Sequence, residues 1–141
     1  MNNLCMTITT GNLMSAQQNI AKKINALVVE DDEESLEMLT LILETTDVIN
    51  CIPVKSGKEA IELYRKHKLH IVFLDIEIPA PDGLETLKQI KEINKDAKVV
   101  MVTGSSDVST VKKAIGLGAS GYVVKPFEPE QILNAIKKLN A

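Results

Sequence analysis

Short apolar runs at Leu27-Val28-Val29, Ile71-Val72-Phe73-Leu74, Val99-Val100-Met101-Val102 and Tyr122-Val123-Val124 alternate with segments of helical spacing, and this alternation restricts the chain more than any other feature. Runs this short and this apolar suit strands buried on both faces, as in parallel sheets covered by crossover helices. They predict strands over 26–30, 48–54, 70–74, 98–102 and 121–124, with helices beginning near Glu33, Lys58, Leu84, Val108 and Pro129. Leu36, Leu39 and Leu43 fall at i, i+3, i+7, as do Val108, Val111 and Ile115, while Ile132, Ile136 and Leu139 repeat at i, i+4, i+7. Each series should give its helix one apolar face. Ser56-Gly57, Pro81-Asp82-Gly83, Gly116-Leu117-Gly118 and Pro126 punctuate the pattern, and Pro129 suits a first helical turn, where its missing N–H costs nothing.

A chain of 141 residues with 45% hydrophobic residues is enough for one domain with its own core. The pattern divides it into an N-terminal extension, residues 1–23, expected to be flexible, and a folded domain over 24–141. A net charge of −3 argues against direct nucleic-acid binding or adhesion to an anionic membrane, both of which need concentrated basic surface. Lys112-Lys113 and Lys137-Lys138 lie on helical patterns and read as solvated faces. Cys5 and Cys51 have neither redox nor zinc spacing, which fits a reducing cytoplasm. Nothing approaches the roughly 18 continuous apolar residues of a membrane span, and 1–23 lacks the apolar core of a signal peptide.

The ends of the strands carry the chemistry. The first runs into Glu30-Asp31-Asp32, the third into Asp75, the fourth into Thr103 and the fifth into Lys125. In an open α/β sheet, ligands sit in the crevice beyond these carboxyl ends. Clustered carboxylates repel one another and need a cation, and an oxygen-rich site with few protein ligands suits Mg²⁺. Asp31 and Asp32 also stand where N-cap and first-turn acids stabilise a helix, and Asp32 keeps that capping role here. Thr103 taken singly is an ordinary strand former, Lys125 a surface lysine and Tyr122 a half-buried strand residue. Their joint placement is what marks a site.

Val29-Glu30-Asp31-Asp32, the stretch from Asp75 through Ile78-Pro79-Ala80-Pro81-Asp82-Gly83, Val102-Thr103-Gly104 and Gly121-Tyr122-Val123-Val124-Lys125-Pro126-Phe127 together resemble the response-regulator receiver domain of two-component signalling, in its single-domain, chemotaxis-regulator-like form. The resemblance covers 24–141. It implies a flavodoxin-like doubly wound five-stranded parallel sheet, strand order 2-1-3-4-5, with helices on both faces. Asp75 would be the phosphoacceptor, taking a phosphoryl group from a histidine kinase or a histidine phosphotransfer protein in a Mg²⁺-dependent reaction. Asp31 and Asp75 would bind Mg²⁺ directly, Glu30 through a water, and Glu77 through its main-chain carbonyl. Thr103 would hydrogen-bond the phosphoryl group, Lys125 would pair with its charge, and Tyr122 would be the aromatic switch. Lys125-Pro126 matches a bond that is cis in the family. Such a protein is a switch that catalyses only its own phosphorylation and dephosphorylation. With no output domain after the fifth helix, it would act through a downstream output protein, as a monomer or as a phosphorylation-dependent homodimer.

Some residues depart from the family pattern. Glu77 stands two positions after Asp75, where its size and charge overhang the phosphoryl site. Gly104 stands where alanine is more usual, and His70 takes a place often held by an acid. His67 and His70 read as surface or helix-end residues. A haloacid-dehalogenase-like phosphatase would want Asp-x-Asp, whereas this chain has Asp75-Ile76-Glu77 and no cap insertion. A flavodoxin-like cofactor binder would want a phosphate loop after the first strand, where this chain has acids. A receiver reduced to a scaffold would have lost part of the set Glu30, Asp31, Asp75, Thr103 and Lys125.

Overall fold

In the computed structural model, which describes residues 24–140, five strands and five helices alternate along the chain. They are β1 (Ile24–Val29), α1 (Glu33–Glu44), β2 (Ile49–Val54), α2 (Gly57–Lys66), β3 (Ile71–Leu74), α3 (Gly83–Ile93), β4 (Val99–Thr103), α4 (Val108–Gly116), β5 (Gly121–Val124) and α5 (Pro129–Asn140). All neighbouring strands pair in parallel, in the order β2-β1-β3-β4-β5. This is the doubly wound sheet expected from the sequence. The extension 1–23 lies outside the described residues.

Side chains alternate across a strand, so the sheet feeds two cores. Leu27, Val29, Val72, Leu74, Val99 and Met101 point to one face, against Ala60, Ile61 and Tyr64 of α2, Leu87 and Ile90 of α3 and Ala114 of α4. Ala26, Val28, Ile71, Phe73, Val100, Val102 and Val123 point to the other, against Leu36, Leu39, Ile42 and Leu43 of α1 and Ile132 and Ile136 of α5. Burial on both faces explains why the strands read as continuous apolar runs.

Each of the first four helices starts just beyond the carboxyl end of a strand and is capped by a side chain. Asp32, Ser56, Asp82 and Asp107 accept from the backbone N–H of Ser35, Glu59, Glu85 and Thr110 at 3.0, 3.2, 2.9 and 3.1 Å. These bonds satisfy donors left unpaired at the first turn and fix where the chain leaves the sheet. α2 and α3 start one residue earlier than their spacing predicts, at Gly57 and Gly83, because the N-caps are Ser56 and Asp82.

The stripe Val108, Val111 and Ile115 does not face the core: Val108 is 66% exposed and Ile115 59%, and Ala114 is the buried residue of α4. The helix seats its small side chain on the sheet and leaves the branched ones in solvent. Spacing shows that a face is apolar and is silent on what covers it.

Candidate functional site

Backbone pairing brings the strand-end residues together. The Asp75 amide donates to the Val29 carbonyl at 3.1 Å, setting the end of β3 beside that of β1. The Lys125 amide donates to the Thr103 carbonyl at 2.8 Å, setting Lys125 beside the end of β4. Glu30 and Asp75 are the first residues beyond their strands, and Thr103 is the last residue of its own. All three are buried, Glu30 to 3% and Asp75 to 5% exposure.

The Lys125 ammonium links the two buried acids. It is 3.2 Å from Asp75 Oδ2 and donates a short hydrogen bond to Glu30 Oε1. Asp75 Oδ1 accepts from the Glu77 amide at 3.0 Å, and Glu30 Oε2 from the Asp32 amide at 3.2 Å. Glu30, Asp31 and Asp75 each offer an oxygen within 4.8 Å of the others. Three carboxylates in this arrangement, two of them buried, can hold a metal ion, and hard oxygen donors suit a cation such as Mg²⁺.

The two buried acids differ electrostatically. Burial pushes the Glu30 carboxyl up to about 6, against the pull of Lys125, and the neighbouring Asp75 charge adds to the rise. Burial acts upward on Asp75 too, but the Glu77 amide, the Thr103 hydroxyl, the Glu30 carboxyl and Lys125 together outweigh it and hold its carboxyl below the ordinary value. The ammonium of Lys125 is held above its usual range: burial opposes the charge, and Glu30 and Asp75 more than restore it. Asp75 is therefore ionised at neutral pH, as an attacking oxygen must be.

Thr103 and Tyr122 meet in the β4–α4 loop. Thr103 Oγ1 is 3.5 Å from Glu77 Oε1 and accepts from the Ser105 amide at 3.5 Å, and the Tyr122 hydroxyl donates to the Ser105 carbonyl at 2.8 Å. Both Lys125–Pro126 and Ala80–Pro81 are cis, the second unforeseen from the sequence. His67 caps the end of α2, and His70 Nδ1 accepts from the Asn25 amide at 2.9 Å at the opposite end of the sheet.

Gly83 is a site residue that sequence reasoning took only for a turn. A Cβ there would overlap the Asp75 carbonyl oxygen and Ile76 Cα, so the start of α3 presses directly on the backbone of the phosphoacceptor candidate. Its amide also donates to the Ile76 carbonyl at 3.0 Å. Pro81-Asp82-Gly83 signals a bend but not this packing.

Comparison with known proteins agrees with this geometry. Residues 26–137 match the response regulator receiver domain model. The chain is 35% identical over 117 residues to the chemotaxis protein CheY of Halobacterium salinarum, covering 83% of this chain and 95% of that one. It is 34% identical over 112 residues to CheY of Bacillus subtilis, covering 79% and 93%. Among solved structures, a CheY-like receiver domain protein from Methanospirillum hungatei superposes with a TM-score of 0.78 at 26% identity, covering 84% and 94%. The CheX-CheY-BeF3-Mg complex of Borrelia burgdorferi contains a chain that superposes with a TM-score of 0.78 at 30% identity, covering 84% and 90%. A buried, ionised aspartate at the end of β3, an acidic cluster beside it and a family match spanning the described sheet lead to one conclusion: the chain belongs to the response regulator receiver family and is a CheY-like phosphoacceptor response regulator.

Proposed function

We propose that Asp75 accepts the phosphoryl group, that the reaction depends on Mg²⁺ held by Asp31, Asp75, the Glu77 carbonyl and, through water, Glu30, and that the phosphoform switches partner binding. The observation that carries this reading is the environment of Asp75, a buried carboxylate kept ionised by the Glu77 amide and Lys125 at the mouth of an acidic cluster. The donor is a phosphohistidine on a histidine kinase or a phosphotransfer protein. An Asp75 carboxylate oxygen attacks phosphorus, the P–N bond breaks as the acyl-phosphate P–O bond forms, and the imidazole leaves with its electron pair and takes a proton from solvent. Bound Mg²⁺ supplies positive charge against the equatorial phosphoryl oxygens. Lys125 adds a second cation beside the carboxylate, and Thr103 a neutral donor.

The protein has no other substrate: it is a switch that catalyses only its own phosphorylation and dephosphorylation. No helix among the described residues is long and apolar enough to cross a membrane, and a cytoplasmic location fits the kinase-coupled role. Output is read on α4, β5 and α5, where α4 exposes Val108, next to the loop that follows Thr103, and Ile115 near its far end, either by a downstream protein or by a second copy. The test is intact mass after phosphoramidate treatment with Mg²⁺. Wild type should gain one phosphoryl group, while Asp75→Asn and wild type in EDTA should gain none. An equal gain in Asp75→Asn would move the phosphoacceptor elsewhere.

A further inference from the structure

Glu77 and Gly104 depart from the usual receiver pattern at separate places in the sequence, and the fold puts them in one place. Glu77 Oε1 lies 3.5 Å from Thr103 Oγ1, and a Cβ built on Gly104 would come within 3.3 Å of that same carboxylate oxygen. Apart from its chain neighbours, no other atom of the described residues would come within 4 Å of that Cβ. An alanine methyl at position 104 would therefore crowd that carboxylate oxygen, which would have to give way by a few tenths of an ångström. Thr103 is fully buried and has a single hydroxyl proton to give, with Asp75 and Glu77 both within its reach. From Thr103 the contacts continue to the Ser105 amide, and from the Ser105 carbonyl to the Tyr122 hydroxyl.

We propose that Glu77 is a positioning residue that retains the Thr103 hydroxyl in the unphosphorylated arrangement, and that Gly104 permits this by leaving the carboxylate room. The proposal rests on Asp75 being the phosphoacceptor. A phosphoryl group on Asp75 presents new acceptor oxygens to the same hydroxyl, so Thr103 can serve the phosphoryl group only by leaving Glu77. At 3.5 Å the contact is at the long limit of a hydrogen bond, so it biases the loop without locking it. The pair thereby sets how much of the phosphoryl interaction is spent on releasing the loop.

The test measures the apparent affinity of the full chain for beryllofluoride in saturating Mg²⁺, followed by the amide resonances of Ser105 and the ring resonances of Tyr122. Glu77→Ala should bind about fivefold more tightly than wild type, as expected for removal of one weak hydrogen bond to a charged group. Glu77→Gln retains an acceptor and should stay close to wild type. Gly104→Ala pushes the carboxylate aside, so it should tighten binding in the wild-type background and change nothing when Glu77 is already Ala. Two results overturn the proposal: Glu77→Gln matching Glu77→Ala, which would make the effect one of charge repulsion, or Gly104→Ala having the same effect in both backgrounds. The ligand-free spectra separate this proposal from the reading beneath it. Ser105 and Tyr122 resonances unmoved in ligand-free Glu77→Ala overturn the retention of Thr103, whereas a wild-type protein with no Asp75-dependent response to beryllofluoride overturns the phosphoacceptor assignment.

Discussion

Replacing Glu30 with glutamine should stabilise the metal-free protein at pH 8, although it removes a hydrogen-bonded, buried side chain. The Glu30 carboxyl is raised from 4.5 to about 6 in the fold, so between those values the folded protein holds a proton that the unfolded chain has released. Stability must fall as pH rises through that window, because the folded state binds more protons there than the unfolded one. At about 1.4 kcal/mol per pH unit, the loss is at most about 2 kcal/mol, complete above pH 6. An amide of the same shape never ionises and escapes the loss, while Lys125 keeps its contact with Asp75. Asp75 does not blur the window: its carboxyl is lowered from 3.8, so its contribution is present above that value and fades only at more acidic pH. Urea unfolding in EDTA from pH 4 to 8 measures both curves. They should coincide near pH 4 and separate by about 1–2 kcal/mol in favour of Glu30→Gln by pH 8. In excess Mg²⁺ the gap should close or reverse, because binding to the folded state stabilises wild type by mass action and the variant less. A wild-type stability that rises between pH 4.5 and 6, or a variant less stable at pH 8 in EDTA, would refute the reasoning.

Other substitutions probe the rest of the site. Asp31→Ala should weaken Mg²⁺ binding roughly tenfold or more, whereas Asp32→Ala should spare it and lower the melting temperature through loss of the α1 cap; an isothermal Mg²⁺ titration showing the opposite ranking would mean the metal register is shifted by one residue. Gly83→Ala should cost about 2 kcal/mol or more in urea unfolding and weaken Mg²⁺ binding as well, because the new methyl displaces the Asp75 and Ile76 backbone. Val108→Glu and Ile115→Glu should each change stability by less than about 0.5 kcal/mol, since both side chains are already in solvent, yet remove any beryllofluoride-dependent association seen by sedimentation or pull-down. Association that survives both substitutions would put the output surface elsewhere.

The sheet was legible because burial on both faces writes itself into composition. Val72, Phe73 and Leu74 are fully buried, and no alternating solvent face interrupts the run. The site was legible because β-strands in a parallel sheet all end on the same edge, so the residue after each apolar run is placed without knowing any side-chain contact. Asp75, Glu30, Thr103 and Lys125 were all found this way. What could not be read were distances across the fold. Nothing local to Gly83 says that Asp75 is pressed against it, and nothing near Gly104 names Glu77 as the group an added methyl would crowd. What covers the α4 stripe was unreadable for a related reason. Periodicity describes one helix alone, and whether Val108 or Ala114 meets the sheet depends on how closely that helix can approach.

Why Glu30 rather than Asp75 is the strained acid follows from how one ammonium is shared. Glu30, Asp31 and Asp75 cluster together with Lys125 paired to two of them, Glu30 and Asp75, which leaves an excess of two negative charges when all three are ionised. Asp75 draws on the Glu77 amide, the Thr103 hydroxyl, the Glu30 carboxyl and Lys125, while Glu30, equally buried, has Lys125 and the Asp32 amide and is pushed the other way by its hydrogen bond with Asp75. The excess therefore falls on Glu30 as a raised carboxyl, and Asp75 stays ionised and able to attack. A divalent cation would cancel the excess and relieve Glu30, which makes metal binding favourable without any change of fold. Under the proposed function, phosphorylation would convert the Asp75 carboxylate into a group bearing more negative charge and give Lys125 a reason to turn from Glu30 toward the phosphoryl oxygens. Filling the site thus alters the balance of charge at Lys125 and Thr103 together, and these residues border the loop that leads to α4 and Tyr122.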